Sequence, residues 1–139
     1  MGQPIAPTQG IAFAFPDVCK TPAPPGPPVP MPYPNVAQLD QANGVTDESN
    51  KELLVGPSSL HVLLLDSEIT TSTGDEAGSV GGVTSGTIKG RCRVTQASSS
   101  VIYGPSQKGI ARFMDTTSQN DGNATGMVLG AFPTVLVGN

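Results

Sequence analysis

Proline dominates one stretch near the start of the chain. Residues 15–35 read FPDVCKTPAPPGPPVPMPYPN, and nine of these twenty-one residues are proline. Proline fixes φ at about −65°, lacks a backbone N–H, and drives the preceding residue into an extended conformation. The stretch therefore cannot be helical, and it is predicted to run as polyproline II or as an edge strand. Apolar residues between the prolines are predicted to anchor it to the interior or to a partner: Phe15, Val18, Val29, Met31 and Tyr33.

The composition favours one small folded domain that spans residues 1–139. Hydrophobic residues make up 37% of the chain, and the 17 glycines bring it near the usual globular share of about 45–50%. Charged residues make up 13%, against a typical value of about 25%. A net charge of −4 argues against a nucleic-acid partner, because neutralising phosphates requires a basic face. The chain has no apolar run of membrane-spanning length, and MGQPIAPTQG lacks the features of a secretory signal.

Short β-strands are predicted from Leu53 onward, because small apolar segments there are bounded by Gly, Pro, Ser or Asp. These segments are LLVG, LHVLLLD, GTIKGRCRVT, SSVIYG, GIARFMD, TGMVLGAF and TVLVG. Short helices are predicted at residues 35–42 and 47–54. A capping box at residues 73–76 predicts one further helical turn, in which Thr73 and Glu76 cap each other.

Two short sequence matches raise the possibility of internal repetition and leave chance open. Ala14-Phe15-Pro16-Asp17-Val18 resembles Ala131-Phe132-Pro133-Thr134-Val135. Gly56-Pro57-Ser58 recurs as Gly104-Pro105-Ser106.

Catalytic chemistry has little support in the sequence. GGVTSGTIKG does not form a phosphate-binding loop, because its lysine comes too late after the glycines. His61 is the only histidine, and its apolar surroundings favour a packed side chain that donates to a carbonyl. An acid–base pair for a small hydrolase could come from Asp66, Glu68, Asp75 and Glu76, but solvated carboxylates are the favoured interpretation. We expect no catalytic residue.

The two cysteines, Cys19 and Cys92, are expected to be free thiols, since the chain lacks an export signal. A zinc site would have to use Cys19, His61 and Cys92. These are three soft ligands with no short pairing, whereas a closed structural site has four ligands. We therefore expect no metal and no other cofactor.

Three blocks of sequence resemble the PAAR-like proteins that tip the spikes of contractile injection systems, including type VI secretion. The first block is FPDVCKTP at residues 15–22, which continues to PMPYPN at residues 30–35. The second is STGDEAG at residues 72–78, followed by GGVTSG at residues 81–86. The third is RFMDTT at residues 112–117. The blocks span most of the chain.

The resemblance implies a small, mostly β, conical fold of short strands with an approximate internal threefold arrangement. The founding members bind zinc near the point through three histidines and a cysteine. In PAAR-like proteins a His-Asn pair often follows the third block, and this chain has Gln119-Asn120 there. That departure removes the expected histidine ligands.

The function implied by the resemblance is that of a non-enzymatic structural tip. It would cap a trimeric β-helical spike with one chain per trimer, aid membrane puncture, contact the target membrane transiently and help to deliver effectors. The alternatives are an effector-binding adaptor with the same fold and the small hydrolase. The chain would be made in the cytoplasm and delivered, within an injection particle, outside the cell or into a target cell. The predicted spike-binding residues are Pro30, Met31, Pro32, Tyr33 and Pro34.

Overall fold

The computed structural model describes residues 2–48 and 51–139, and it is almost entirely β, as predicted. The only helical element in these ranges is a 3-10 turn at Leu39–Gln41, and no described helix is long or apolar enough to cross a membrane. The strands, in chain order, are β1 (Gln3–Ile5), β2 (Ile11–Thr21), β3 (Val29–Gln38), β4 (Leu54–Val55), β5 (Leu60–His61), β6 (Glu68–Ile69), β7 (Gly81–Gly82), β8 (Cys92–Val94), β9 (Ile102–Tyr103), β10 (Lys108–Gly109), β11 (Thr116–Gln119), β12 (Ala124–Val128) and β13 (Phe132–Val137).

Strand β3 carries Pro30, Pro32 and Pro34 along one edge of a seven-stranded sheet. This confirms the edge-strand prediction for residues 29–35, whereas residues 15–21 lie in β2, which is paired on both sides. The order of this sheet is β3-β2-β12-β11-β8-β6, and β7 also pairs with β2. Pro30, Pro32 and Pro34 occupy alternate positions of β3. Their backbone nitrogens, which carry no hydrogen, therefore all point away from β2. Val36 continues the series and donates its N–H outward to the carbonyl of Thr73, at 2.8 Å.

The two predicted helices do not form in the described residues. Strand β3 runs through the first of them, residues 35–42, because its backbone is paired with β2, and only the 3-10 turn follows. No helix is present in the described part of the second, residues 47–54, of which residues 49 and 50 lie outside the described ranges.

The predicted capping box is wrong in its partners. Glu76 does reach back, but its Oε1 accepts from the N–H of Gly74 at 2.7 Å, and the N–H of Thr73 is held by Val36. Asp75 and Gly78 close a tight turn instead of a helical turn.

Three segments of the chain meet in a closed ring of backbone hydrogen bonds. The N–H of Ala6 donates to the carbonyl of Ala111 at 3.1 Å, Ala111 donates to Leu63 at 2.9 Å, and Leu63 donates to Ala6 at 2.9 Å. All three residues are fully buried. A second ring of hydrogen bonds links the same three segments in the opposite cyclic order, with the donor–acceptor pairs Thr8–His61, Leu65–Gly109 and Phe113–Pro4. The rings define an approximate threefold axis, which confirms the predicted threefold arrangement.

Each segment of the ring belongs to an arm made of two short antiparallel strands. The three arms are β4–β5, β9–β10 and β1–β13, and in the third the two strands are the first and last of the chain. The match between residues 56–58 and 104–106 is a true structural repeat, because both lie in the turns of equivalent arms. The other match is not, because residues 14–18 and 131–135 belong to different sheets.

The hydrophobic core follows the same symmetry. One cluster of buried side chains lies between the arms, and most of its members occupy equivalent positions: Ile5, Val62 and Ile110, and Val55, Tyr103 and Val137. A second cluster, which contains Leu63, packs against the seven-stranded sheet and includes Leu39, Ile69, Cys92, Val94 and Val128. The threefold ring therefore lies where the two clusters meet.

Two equivalent turns of the repeat are closed by different chemistry. In one, the Oγ of Ser67 accepts from the N–H of Leu64 at 2.8 Å. In the other, Oδ2 of Asp115 accepts from the N–H of Arg112, also at 2.8 Å. The side chains of Arg112 and Asp115 also form a buried ion pair, with Nη2 and Oδ1 3.1 Å apart. In both turns a side-chain oxygen thus accepts from the backbone N–H three residues earlier. The two residues are neutral in one arm and form an ion pair in the other.

This difference predicts that replacing both residues of the ion pair is tolerated, whereas replacing Asp115 alone is not. Asp115→Ser alone leaves the guanidinium of Arg112 buried and unpaired, so it should lower the free energy of unfolding by about 3–5 kcal/mol. The double variant Arg112→Leu/Asp115→Ser copies Leu64 and Ser67 and should recover most of that loss. Urea unfolding followed by circular dichroism measures both, and equal losses in the two variants would contradict the equivalence of the turns.

Candidate functional site

Each arm presents one exposed aliphatic side chain at the same position. Leu54 is 41% exposed, Ile102 is 49% exposed and Leu136 is 63% exposed. Each pairs with the equivalent residue of its partner strand, and these are His61, Gly109 and Pro4. The next residue in each strand points the other way, into the cluster between the arms: Val55, Tyr103 and Val137. We call Leu54, Ile102 and Leu136 the threefold apolar set, because the axis relates the three side chains.

The predicted spike-binding residues 30–34 lie elsewhere, on the part of β3 that is paired with the end of β2. Met31 is opposite Cys19 in the ladder and is 45% exposed. Tyr33 is half-buried, and its hydroxyl lies 2.6 Å from the hydroxyl of Thr21. This edge belongs to the seven-stranded sheet and lies outside the three arms. Of the predicted anchors, Phe15 and Val29 are also exposed and do not point inward.

A fully buried polar cluster lies where the three sequence blocks converge. We define this polar cluster as the side chains Asp17, Cys19, Asn35, Ser72, Asp75, Gln119 and Asn120, all fully buried. The first block supplies the residues of β2 and β3, the second supplies the turn at residues 72–75, and the segment after the third supplies residues 119–120. Buried polar groups are costly without hydrogen bonds, so the partners of each group decide what the polar cluster can do.

Asp17 is the acceptor at the centre of the polar cluster. Its carboxylate accepts from the side-chain amides of Asn35 and Asn120, each at 3.2 Å, and from the amide of Asn123. The thiol of Cys19 also donates to it, at 3.6 Å. All of these donors are uncharged. The carboxylate is therefore solvated by amides inside the protein and not neutralised by a cation.

Asp75 is the second buried carboxyl group, and the expectation that it is solvated is wrong. Its two oxygens accept from one backbone N–H, that of Lys89, at 3.0 and 3.2 Å. Burial raises the pKa of Asp75 to about 6, and a hydrogen bond with the side chain of Asp17 contributes in the same direction. The tight turn between Asp75 and Gly78 lies directly against Cys19, because a Cβ at Gly78 would clash with the Cβ of Cys19.

The acid–base pair required for a hydrolase does not form. The four candidate carboxylates were Asp66, Glu68, Asp75 and Glu76. Asp66 lies 3.8 Å from the ammonium of Lys108, and Glu68 lies 3.1 Å from the guanidinium of Arg93. Asp75 belongs to the polar cluster, and Glu76 is exposed at its turn. The four groups therefore occupy separate environments and do not pair with one another.

The three soft ligands considered for zinc are not brought together either. Cys19 lies in the polar cluster, whereas Cys92 lies in the second hydrophobic cluster. His61 is partly exposed, and its Nε2 lies 2.7 Å from Oε2 of Glu52. The expectation of a packed histidine that bonds to a carbonyl is therefore wrong, because a surface carboxylate is its partner.

The residues present do not fit the zinc ion that founding PAAR proteins bind. The side-chain oxygens of Asp17 and Asp75 and the sulfur of Cys19 lie within 4.8 Å of one another, which is close enough to consider an ion. Asn120, however, fixes its amide orientation by accepting from the N–H of Gly90 at 2.9 Å. Its NH2 group therefore points at Asp17 and Cys19, so a hydrogen-bond donor stands where a fourth ligand would be required.

The comparison with family models decides which family this geometry represents. The model described as the Toxin PAAR-like domain matches residues 10–126 of the 139-residue chain. The chain belongs to the Toxin PAAR-like domain family. No match was found among the curated proteins or among the solved structures. The match covers the polar cluster and two arms of the PAAR-like domain, and family membership supports a spike-tip or toxin-related role.

The polar cluster of this PAAR-like domain was not recognised from sequence as one unit. The blocks that carry the resemblance contain Asp17, Cys19, Asn35, Ser72 and Asp75, so the blocks themselves were the available signal. The threefold apolar set carried a weaker signal, the Gly-Pro-Ser match that follows two of its members. The third member, Leu136, has no such turn after it, because its partner strand is β1.

Both thiols of the PAAR-like domain are predicted to be unreactive while it is folded. Burial, with a further contribution from the Asp17 and Asp75 carboxylates, raises the pKa of Cys19 to about 12, and burial raises the pKa of Cys92 to about 12. Because the thiolate is the nucleophile, Ellman's reagent should label neither thiol of the native protein at pH 8 and both in guanidinium chloride. Rapid labelling of a native thiol would contradict this placement, and an unlabelled pair after unfolding without reductant would reveal a disulfide.

Proposed function

We propose that this PAAR-like protein is the structural tip of a contractile injection system and caps a trimeric β-helical spike. The observation that carries the proposal is the threefold axis within one chain. A symmetric trimer ends in three equivalent surfaces, and a single chain can meet all three only when it presents three equivalent surfaces itself. The three arms around the ring are three such equivalent surfaces.

The surface proposed to meet the spike is the threefold apolar set. Leu54, Ile102 and Leu136 are aliphatic, exposed and related by the axis, so each can make the same contact with one spike subunit. Scattered exposed apolar side chains need no explanation. These three differ from the other exposed apolar side chains because the threefold axis relates them, and a trimeric partner would offer one equivalent contact to each. Under this proposal the sequence-based candidate, residues 30–34, is the competing surface.

The stoichiometry follows from the same symmetry. One chain per spike trimer satisfies all three arms, while three chains would leave two arms of each chain without a partner. The tip role requires no reaction, and delivery of effectors and puncture of a membrane would follow from the position of the tip at the end of the spike. The family is structural and toxin-associated, which agrees with a non-enzymatic role.

The proposal predicts that substitutions in the arms weaken spike binding in an additive manner. In a complex with the trimeric spike of its own injection system, each change Leu54→Asp, Ile102→Asp or Leu136→Asp should lower the affinity at least about tenfold, because a charge replaces a buried aliphatic contact. The triple variant should not bind. Mass photometry of the co-purified wild-type complex should give one chain per three spike subunits.

Two control variants make this experiment decisive. Val83→Asp changes a side chain that is 53% exposed and lies outside the arms, so it should leave the affinity unchanged. Met31→Asp tests the competing edge at residues 30–34. A strong loss of affinity in Met31→Asp, with no loss in the arm variants, would place the spike-binding surface on β3. Three chains per spike trimer would overturn the tip arrangement itself.

A further inference from the structure

We propose that Asp17 and Asp75 share one proton in mildly acidic solution and that Asp75 carries it. The observation behind the proposal is the pair itself. Two fully buried carboxyl groups have oxygens within 4.8 Å of each other, together with the sulfur of Cys19. Two like charges at that distance in a buried site destabilise each other, and sharing a proton removes one of them.

The hydrogen bonds decide which carboxyl group carries the proton. Asp17 accepts from three side-chain amides and from the thiol of Cys19, three of these four donors at Oδ1 and one, Asn35, at Oδ2. These four hydrogen bonds stabilise the ionised form of Asp17. Asp75 accepts from the backbone N–H of Lys89, which both of its oxygens share, and from its own backbone N–H, so it has fewer donors than Asp17 and is the group that can carry a proton and donate it to Asp17.

The charged and titratable groups around the pair do not supply the missing cation. Lys89 contributes its backbone N–H to Asp75. Its side chain is exposed, and its charge helps to lower the pKa of Glu76. On the segment after β11, Asp121 is held by Arg91 at 3.2 Å. Tyr33 of β3 turns its hydroxyl to Thr21, as described above. The remaining titratable neighbour is Cys19, whose raised pKa keeps its proton on the sulfur as a donor to Asp17.

The shared proton makes the stability of the fold depend on pH in a defined direction. The pKa of Asp75 is raised from 3.8 to about 6 in the folded chain, so the folded state holds a proton that the unfolded state has released between these values. The stabilisation is complete below a pH of about 4 and is lost as the pH rises through about 6. Metal binding would give the opposite trend, because ligands must lose their protons to bind a cation.

The test compares thermal unfolding of the full chain and three variants between pH 4.5 and pH 7.5. The midpoint of wild-type unfolding should fall across this range by about 5–10 °C more than that of Asp75→Asn. The amide introduced by Asp75→Asn keeps an oxygen for the N–H of Lys89 and offers a permanent donor to Asp17, so this variant should be the more stable protein at pH 7.5. Glu76→Gln, which changes a neighbouring exposed carboxyl group, should keep the wild-type slope.

The reverse exchange distinguishes the two partners. Asp17→Asn places an NH2 group or a poorer acceptor against three amide donors, so its midpoint should lie well below that of Asp75→Asn at every pH. If Asp17→Asn does not fold, carbon-13 NMR titration of the wild-type carboxyl signals tests the same point, and one buried Asp signal should titrate near pH 6. Equal slopes in wild type and Asp75→Asn would overturn the proposal, and so would one zinc per chain after incubation with zinc and dialysis.

Discussion

The cyclic hydrogen bonding of Ala6, Leu63 and Ala111 is the constraint on which the rest of the structure depends. Each of these residues donates to one neighbour and accepts from the other, so no segment can shift without breaking two bonds in a fully buried place. Two of the three side chains are alanine, which lets the backbones approach the axis. The ring thereby fixes the height and spacing of the three arms, and with them the positions of the exposed aliphatic residues.

The seven-stranded sheet lies next to this ring and does not follow the threefold symmetry of the arms. Strand β2 begins beside Ala12 in the core and continues to Cys19 in the polar cluster, so it connects the two regions directly. Strand β3 covers β2 on one side, and its alternate prolines leave few N–H groups on the outer edge. That edge is unavailable to a further strand over residues 30–34, which protects a long exposed strand from pairing with other chains. Proline thus both stiffens β3 and prevents a further strand from pairing with its outer edge.

Local patterns predicted what depends on local chemistry. The extended backbone of residues 29–35 followed from proline alone, with polyproline II and an edge strand as the two alternatives, and the short strands followed from apolar segments between turn residues. The threefold equivalence was harder to find, because the same backbone role is filled by Leu64 and Ser67 in one arm and by Arg112 and Asp115 in another. The burial of Asp75 was missed for a related reason. A carboxyl group in a Gly-rich turn has the sequence pattern of a solvated loop, and only residues distant along the chain, such as Asp17, make it an interior group.

The polar cluster completes the fold because its side chains are hydrogen-bond partners of buried backbone groups. Buried backbone groups need such partners. The amide of Gln119 donates to the carbonyls of Ala12 and Asn35, and the hydroxyl of Ser72 donates to the carbonyl of Gly90. Asn120 serves the N–H of Gly90 and the carbonyl of Thr87 in the same way. Amides and hydroxyls keep these bonds at any pH, so the shared proton of the carboxyl pair adjusts the stability of the cluster without being required for its geometry.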